Sequence, residues 1–264
     1  MSFNYVLLLA RQRSGTSALG SILNKSSEAY YLGEPFNLAN FGKPRNFFSY
    51  KEQAVLENPE LIRPDRNQEL WEGFVDAMNE KFGGKGFIDV KYNQTHHVNG
   101  DSYLPTNPPW LVAHAFSQKL PIVHLTRRNH LKNFVSVVRA KKTGVWHTKV
   151  KHEALERQVS INVDELMNHI RLCENTLNLF DGWMKNRGHV LTLDYSETFK
   201  SDGNLSDKAV EGIERLTGYS GLEALRTDFI KQTSDDLAEE IENFIDVAAA
   251  LAPTEHAWML DDQI

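Results

Sequence analysis

The run Tyr5-Val6-Leu7-Leu8-Leu9, followed at once by a turn over Arg11 to Gly15 and a helical pattern over 16–23, constrains this chain more than any other feature. A short segment that is apolar at every position predicts a strand covered on both faces, and such strands belong to parallel sheets sandwiched by helices. The same alternation continues downstream. Strands are expected over 29–32, 87–90, 121–125 and 189–193, and helices over 68–82, 108–116, 129–142 and 163–186. The helix over 68–82 shows the clearest 3.6-residue spacing, through Leu70, Trp71, Phe74, Val75, Met78 and Phe82. The acidic final third reads as helices separated by Gly218 and Gly221. Strands alternating with helices predict an α/β fold of three layers, a central parallel sheet flanked by helices.

A chain of 264 residues with no linker or repeat is expected to form one domain, 1–264. Residues 36–66 stand out within it. Pro44, Pro59 and Pro64 and weak periodicity predict a loop-rich insert that covers the site. Its aromatics, Phe36, Phe41, Phe47, Phe48 and Tyr50, suit either stacking on a ligand or a core of the insert's own.

Charge narrows the ligand. A net charge of −6 argues against a nucleic-acid binder, which needs basic surface to displace counterions. Yet Arg11 with Arg13, Arg127 with Arg128, and Lys132, Arg139, Lys141 and Lys142 are grouped, which suits a small polyanion. Lys132, Lys141 and Lys142 also fit a solvated helix face, and Trp146 a core anchor. No apolar run is long enough to span a membrane, no basic leader precedes the first strand, and Cys173 is the sole cysteine, so a soluble cytoplasmic protein without disulfides is expected.

Arg11-Gln12-Arg13-Ser14-Gly15-Thr16-Ser17 joins the first strand to the first helix. Unpaired N–H groups at a helix start, together with the helix dipole, attract an anion there. Gly15 permits close approach of the backbone, Thr16 and Ser17 add hydroxyls, and Arg13 adds charge. The nucleoside-triphosphate loop G-x-x-x-x-G-K-[ST] is absent.

Gln12-Arg13-Ser14-Gly15-Thr16-Ser17 resembles the 5′-phosphosulfate loop of sulfotransferases that use 3′-phosphoadenosine-5′-phosphosulfate, particularly the bacterial carbohydrate enzymes of the trehalose and Nod-factor type. A second block is similar: Thr126-Arg127-Arg128-Asn129 leads into a helix with Ser136, eight residues after Arg128, as in the 3′-phosphate site of cytosolic sulfotransferases. The spacing favours Arg128 and leaves Arg127 as the alternative. Val137-Val138-Arg139-Ala140 and Thr143-Gly144-Val145-Trp146 continue the likeness.

The resemblance implies that Ser14 to Ser17 hold the 5′-phosphosulfate, that Arg13 contacts its bridging oxygen, and that Glu34, in Gly33-Glu34-Pro35, is the base that deprotonates the acceptor hydroxyl. Lys91-Tyr92-Asn93-Gln94 resembles another block of the family, implying Lys91 at the sulfuryl oxygens or acceptor and Asn93 and Gln94 at sugar hydroxyls. His96 and His97 are rival bases; on an extended segment they face opposite ways and make a poor metal pair. Neither the reaction nor the cysteine and histidine pattern calls for a metal. The acceptor implied is a carbohydrate or glycolipid-like hydroxyl, and the product nucleotide is adenosine 3′,5′-bisphosphate. The alternatives are a kinase-like phosphotransferase and a catalytically silent nucleotide- or glycan-binding module.

Overall fold

Five parallel strands, β1 (Tyr5–Ala10), β2 (Ala29–Gly33), β3 (Lys85–Lys91), β4 (Ile122–Thr126) and β5 (Val190–Asp194), lie side by side in the order β2-β3-β1-β4-β5. The computed structural model describes residues 5–83, 85–99, 106–146, 158–229 and 236–261. β1 is central, and all six of its residues are buried, as a run without alternation requires. It pairs with β3 through Leu7↔Ile88 and with β4 through Leu7↔Ile122. The edge strand β2 alternates buried and half-buried residues instead, so one of its faces is less fully covered than the other.

Helices follow where the periodicity placed them. After α1 (Thr16–Leu23) come α2 (Phe47–Glu57), α3 (Asn67–Phe82), α4 (Trp110–Ser117), α5 (His130–Thr143) and α6 (Val163–Met184), then the short α7 (Tyr195–Thr198), α8 (Asp207–Thr217), α9 (Leu237–Glu240) and α10 (Phe244–Leu251). The predicted α/β class, a parallel sheet flanked by helices, is borne out. From β1 the chain moves outward past β3 to β2, whereas from β4 it moves the other way to β5. This reversal is a topological switch, and right-handed crossovers then send the two outgoing helices, α1 and α5, to opposite faces and open a crevice at the carboxyl edge between β1 and β4.

The insert differs from expectation. Its centre is the eleven-residue helix α2, capped by Asn46, whose side-chain oxygen accepts from the Ser49 N–H while its amide donates to the carbonyls of Pro35 and Asn37. Phe36 and Phe47 are fully buried and pack with Phe48, Trp71 and Phe74 at ring separations of 5.2–6.0 Å. Only Phe47 of α2 is fully buried. The helix therefore lacks the repeating apolar face from which periodicity could reveal it.

A second apolar cluster joins α5 and α6 to the C-terminal helices through Leu131, Val135, Ile170, Leu237, Val247 and Leu251. Arg139 on α5 forms a buried ion pair with Glu240 on α9, and Asn129 donates to the Met259 carbonyl at 3.0 Å. Lys132 is buried here rather than on a solvated face, whereas Lys141 and Lys142 are exposed as expected. The element after β4 is thus braced from behind. Cys173 is buried in α6 and free.

Three histidines record how dry this interior is. Burial first, then the field of Arg11, pushes His130 and His169 down to about 4, and burial does the same to His124. The unfolded chain takes up these protons near pH 6.5, well above the folded one, so the stability that neutral histidines provide is complete above that pH and drains away as the pH falls toward about 4. Each histidine contributes at most about 1.4 kcal/mol per pH unit in that window. The urea midpoint is expected to drop clearly between about pH 7 and pH 5; an unchanged midpoint would mean the three are protonated when folded.

Candidate active site

The loop after β1 owes its shape to two positive φ angles, 65° at Arg13 and 91° at Gly15. The first is uncommon for a residue with a side chain and marks local strain. At Gly15 there is no choice: a Cβ would lie 2.6 Å from the Tyr195 ring, besides the unfavourable φ. Gly15 is also the N-cap of α1 and has no side chain with which to cap the first N–H groups of that helix. Ser14 is buried and its hydroxyl has no hydrogen-bond partner among the described residues. A buried hydroxyl without a partner is costly unless a ligand meets it, and an anion at the helix start would.

On the β3 side a buried charge cluster faces the loop. Lys91 Nζ donates to Thr16 Oγ1 at 2.6 Å and to both oxygens of Asp89 at 2.7 and 2.8 Å, and lies 3.4 Å from Glu34 Oε1. Alternation along β3 puts Asp89 and Lys91 on one face, and Gly33, ending β2, delivers Glu34 to the same edge. The Lys91 side chain is 3% exposed and that of Glu34 26%, so the acid is the member open to an incoming molecule. Gln12 and Asn93 meet at the rim, Nε2 donating to Oδ1 at 2.8 Å.

On the α5 side the loop is tied to the second predicted block. Arg13 Nε donates to Ser136 Oγ at 2.9 Å, and its Nη1 donates to the Trp146 carbonyl. Burial lowers the pKa of this guanidinium, yet from so high a start that it stays charged. Asn133 Nδ2 donates to the Gln12 carbonyl and Asn133 Oδ1 accepts from His169 Nε2, which fixes the loop to α5. The two consecutive arginines diverge. Arg127 donates to the Arg13 carbonyl at 3.0 Å and stacks over Tyr195 at 4.8 Å, whereas Arg128, 53% exposed, pairs with Asp181 at 3.0 Å. Trp146 is half exposed and so is no core anchor.

Residues 4–215 match the sequence profile of the Stf0 sulphotransferases. The chain belongs to the Stf0 sulphotransferase family. A solved structure, a sulfotransferase from Alicyclobacillus acidocaldarius, is similar at 12% identity and a TM-score of 0.44, covering 100% of this chain and 98% of that one. No curated protein matches.

Other predicted site residues of this Stf0 sulphotransferase are engaged in the fold. Gln94 Oε1 accepts from the Lys91 N–H at 3.1 Å, closing the 3₁₀ turn Tyr92–Gln94. His96 and His97 do not lie on an extended segment as expected: the strand stops at Lys91, the chain turns, and their rings come to 4.4 Å. His97 packs on Phe36 and Phe48, and burial followed by the neighbouring His96 lowers its pKa. Among the described residues, no group of three His, Cys, Asp or Glu side chains could hold a metal ion, and no helix is long and apolar enough to cross a membrane. Asp89, Asn133 and Tyr195 were not anticipated. Asp89 was legible only as a charge inside a strand, two residues before Lys91, while nothing local marks Tyr195 as the ring beside Gly15.

Proposed function

We propose that this sulfotransferase moves the sulfuryl group of 3′-phosphoadenosine-5′-phosphosulfate to a hydroxyl of a carbohydrate or glycolipid-like acceptor. The observation that carries the reading is the Arg13–Ser136 bond of 2.9 Å, which brings the two expected anion sites within one arginine side chain of each other. A nucleotide with phosphates at both its 5′ and 3′ positions suits such a pair; ATP, with one polyphosphate, does not.

The chemistry follows from the two flanks. The acceptor oxygen forms its bond to sulfur while the bond from sulfur to the 5′-phosphate oxygen breaks, and Glu34 takes the acceptor's proton. Charge accumulates on the departing phosphate, where the N–H groups of the α1 start, Ser14, Arg13 and Lys91 stabilise it. Thr16 and Ser17 complete the loop's donors, Gln12 and Asn93 form the rim an acceptor crosses, and Gln94 shapes the turn that carries Asn93. The orientation of the arginines supports Arg127, rather than Arg128, as the partner of Ser136 at the 3′-phosphate. The phosphotransferase alternative gives way to the family assignment.

Calorimetry of adenosine 3′,5′-bisphosphate against ATP tests the donor site without knowledge of the acceptor. The bisphosphate is expected to bind at least about tenfold more tightly, a difference of roughly 1.4 kcal/mol; equal affinity would remove the second anchor. Arg127→Ala should weaken the bisphosphate at least about tenfold through loss of a charge-assisted contact, and Arg128→Ala by less than about threefold. The reverse ranking would return the role to Arg128. Transfer of labelled sulfate to a panel of mono- and disaccharides and glycolipids tests the acceptor class, and transfer solely to phenols or steroids would overturn it.

A further inference from the structure

Asp89 is wholly buried in β3, a position where a carboxylate survives only if fully partnered. Its partners are specific. Both oxygens accept from Lys91 Nζ, and Oδ2 also accepts from the Tyr31 hydroxyl at 2.6 Å. Burial, and then the Asp89 charge, raise the pKa of Tyr31, so that hydroxyl keeps its proton and donates it. The Tyr31 ring occupies space that only a glycine leaves at position 20, where a Cβ would lie 2.4 Å from it. An arrangement this closely built on α1, β2 and β3 holds one ammonium in one place.

That ammonium stands between loop and acid. Lys91 is 2.6 Å from Thr16 Oγ1 and 3.4 Å from Glu34 Oε1, so it pairs tightly with Asp89 and the loop and only loosely with Glu34. Without the Asp89 charge, Glu34 is the anion paired with Lys91 among the described residues, and Coulomb attraction tightens that pair. The pair so formed would occupy the oxygen that must accept the acceptor's proton and would withdraw Lys91 from the loop.

We propose that Asp89, oriented by Tyr31, is a positioning residue that holds the Lys91 ammonium at the phosphosulfate loop and keeps its ion pair with Glu34 loose, leaving Glu34 able to act as the base. The inference rests on the function proposed above, and its test separates the two. Wild-type enzyme and the variants Asp89→Asn, Tyr31→Phe, Lys91→Met and Asp89→Asn/Lys91→Met are compared in two measurements. These are binding of adenosine 3′,5′-bisphosphate by calorimetry and single-turnover loss of labelled sulfate from the donor, to water or to an acceptor sugar.

Asp89→Asn is expected to bind the bisphosphate within about threefold of wild type yet to transfer sulfate about thirtyfold more slowly, and Tyr31→Phe to fall between. In the Lys91→Met background Asp89→Asn should add less than about twofold, because its action passes through the lysine. Transfer at the wild-type rate in Asp89→Asn, or losses that multiply in the double variant, would overturn the proposal. Should Asp89→Asn fail to fold, Tyr31→Phe decides: a slower transfer with unchanged binding supports it, and a wild-type rate sinks it. A wild-type protein that neither binds the bisphosphate nor releases sulfate would count against the donor assignment instead.

Discussion

Glu34→Gln is expected to lower turnover roughly a hundredfold or more while leaving binding of adenosine 3′,5′-bisphosphate nearly intact. Glutamine keeps the shape and can still accept a hydrogen bond, but it cannot take a proton at the pH of the reaction. The geometry makes this a clean experiment. Glu34 reaches the loop through Lys91, at 3.4 Å, and its side chain is the most exposed member of the cluster, so little packing depends on its charge. Single-turnover transfer measured beside calorimetry separates the outcomes. If nucleotide affinity collapses while bound donor still turns over normally, Glu34 supports the loop and another group, His96 or His97 first among them, accepts the proton.

Arg13→Ala should cost on the order of 3 kcal/mol in transition-state stabilisation, about 150-fold in rate. Two effects combine. The guanidinium is a fixed positive charge at the loop, where in the proposed reaction the departing phosphate gains negative charge, and it is also the physical link to Ser136 on α5. Its backbone adds a third consideration, since φ of 65° is strained for alanine as for arginine and the substitution leaves that strain in place. Arg13→Lys distinguishes charge from geometry: lysine restores the charge but not the planar fork that reaches Ser136 and the Trp146 carbonyl together. Rates near wild type for Arg13→Ala would remove the residue from the chemistry.

Much of the fold was readable in one dimension. The unbroken apolar run of β1 and the 3.6-residue spacing of α3 located their elements to within a residue, since each reflects a periodic burial that a chain records along its length. The helix α2 was not readable, because its burial is concentrated in Phe47, and the aromatic cluster it joins is assembled from Phe36, Trp71 and Phe74 on other segments. The histidine pair was misread for a related reason: two residues alone do not reveal whether the chain has left the extended state, and here it turns immediately after Lys91.

By itself the sequence determined the order of strand, glycine-bearing loop and helix, hence a parallel sheet with that loop at its edge, because periodicity and glycine act between near neighbours. Only the tertiary structure decided which way the consecutive arginines turn, that Asp89 grips Lys91 beside Thr16, and that Tyr195 leaves room for nothing larger than glycine at position 15. Apart from the Asp89–Lys91 pair, which shares β3, those contacts join segments distant in the chain. They follow from sheet order and register, which set the distance between side chains that no local pattern relates.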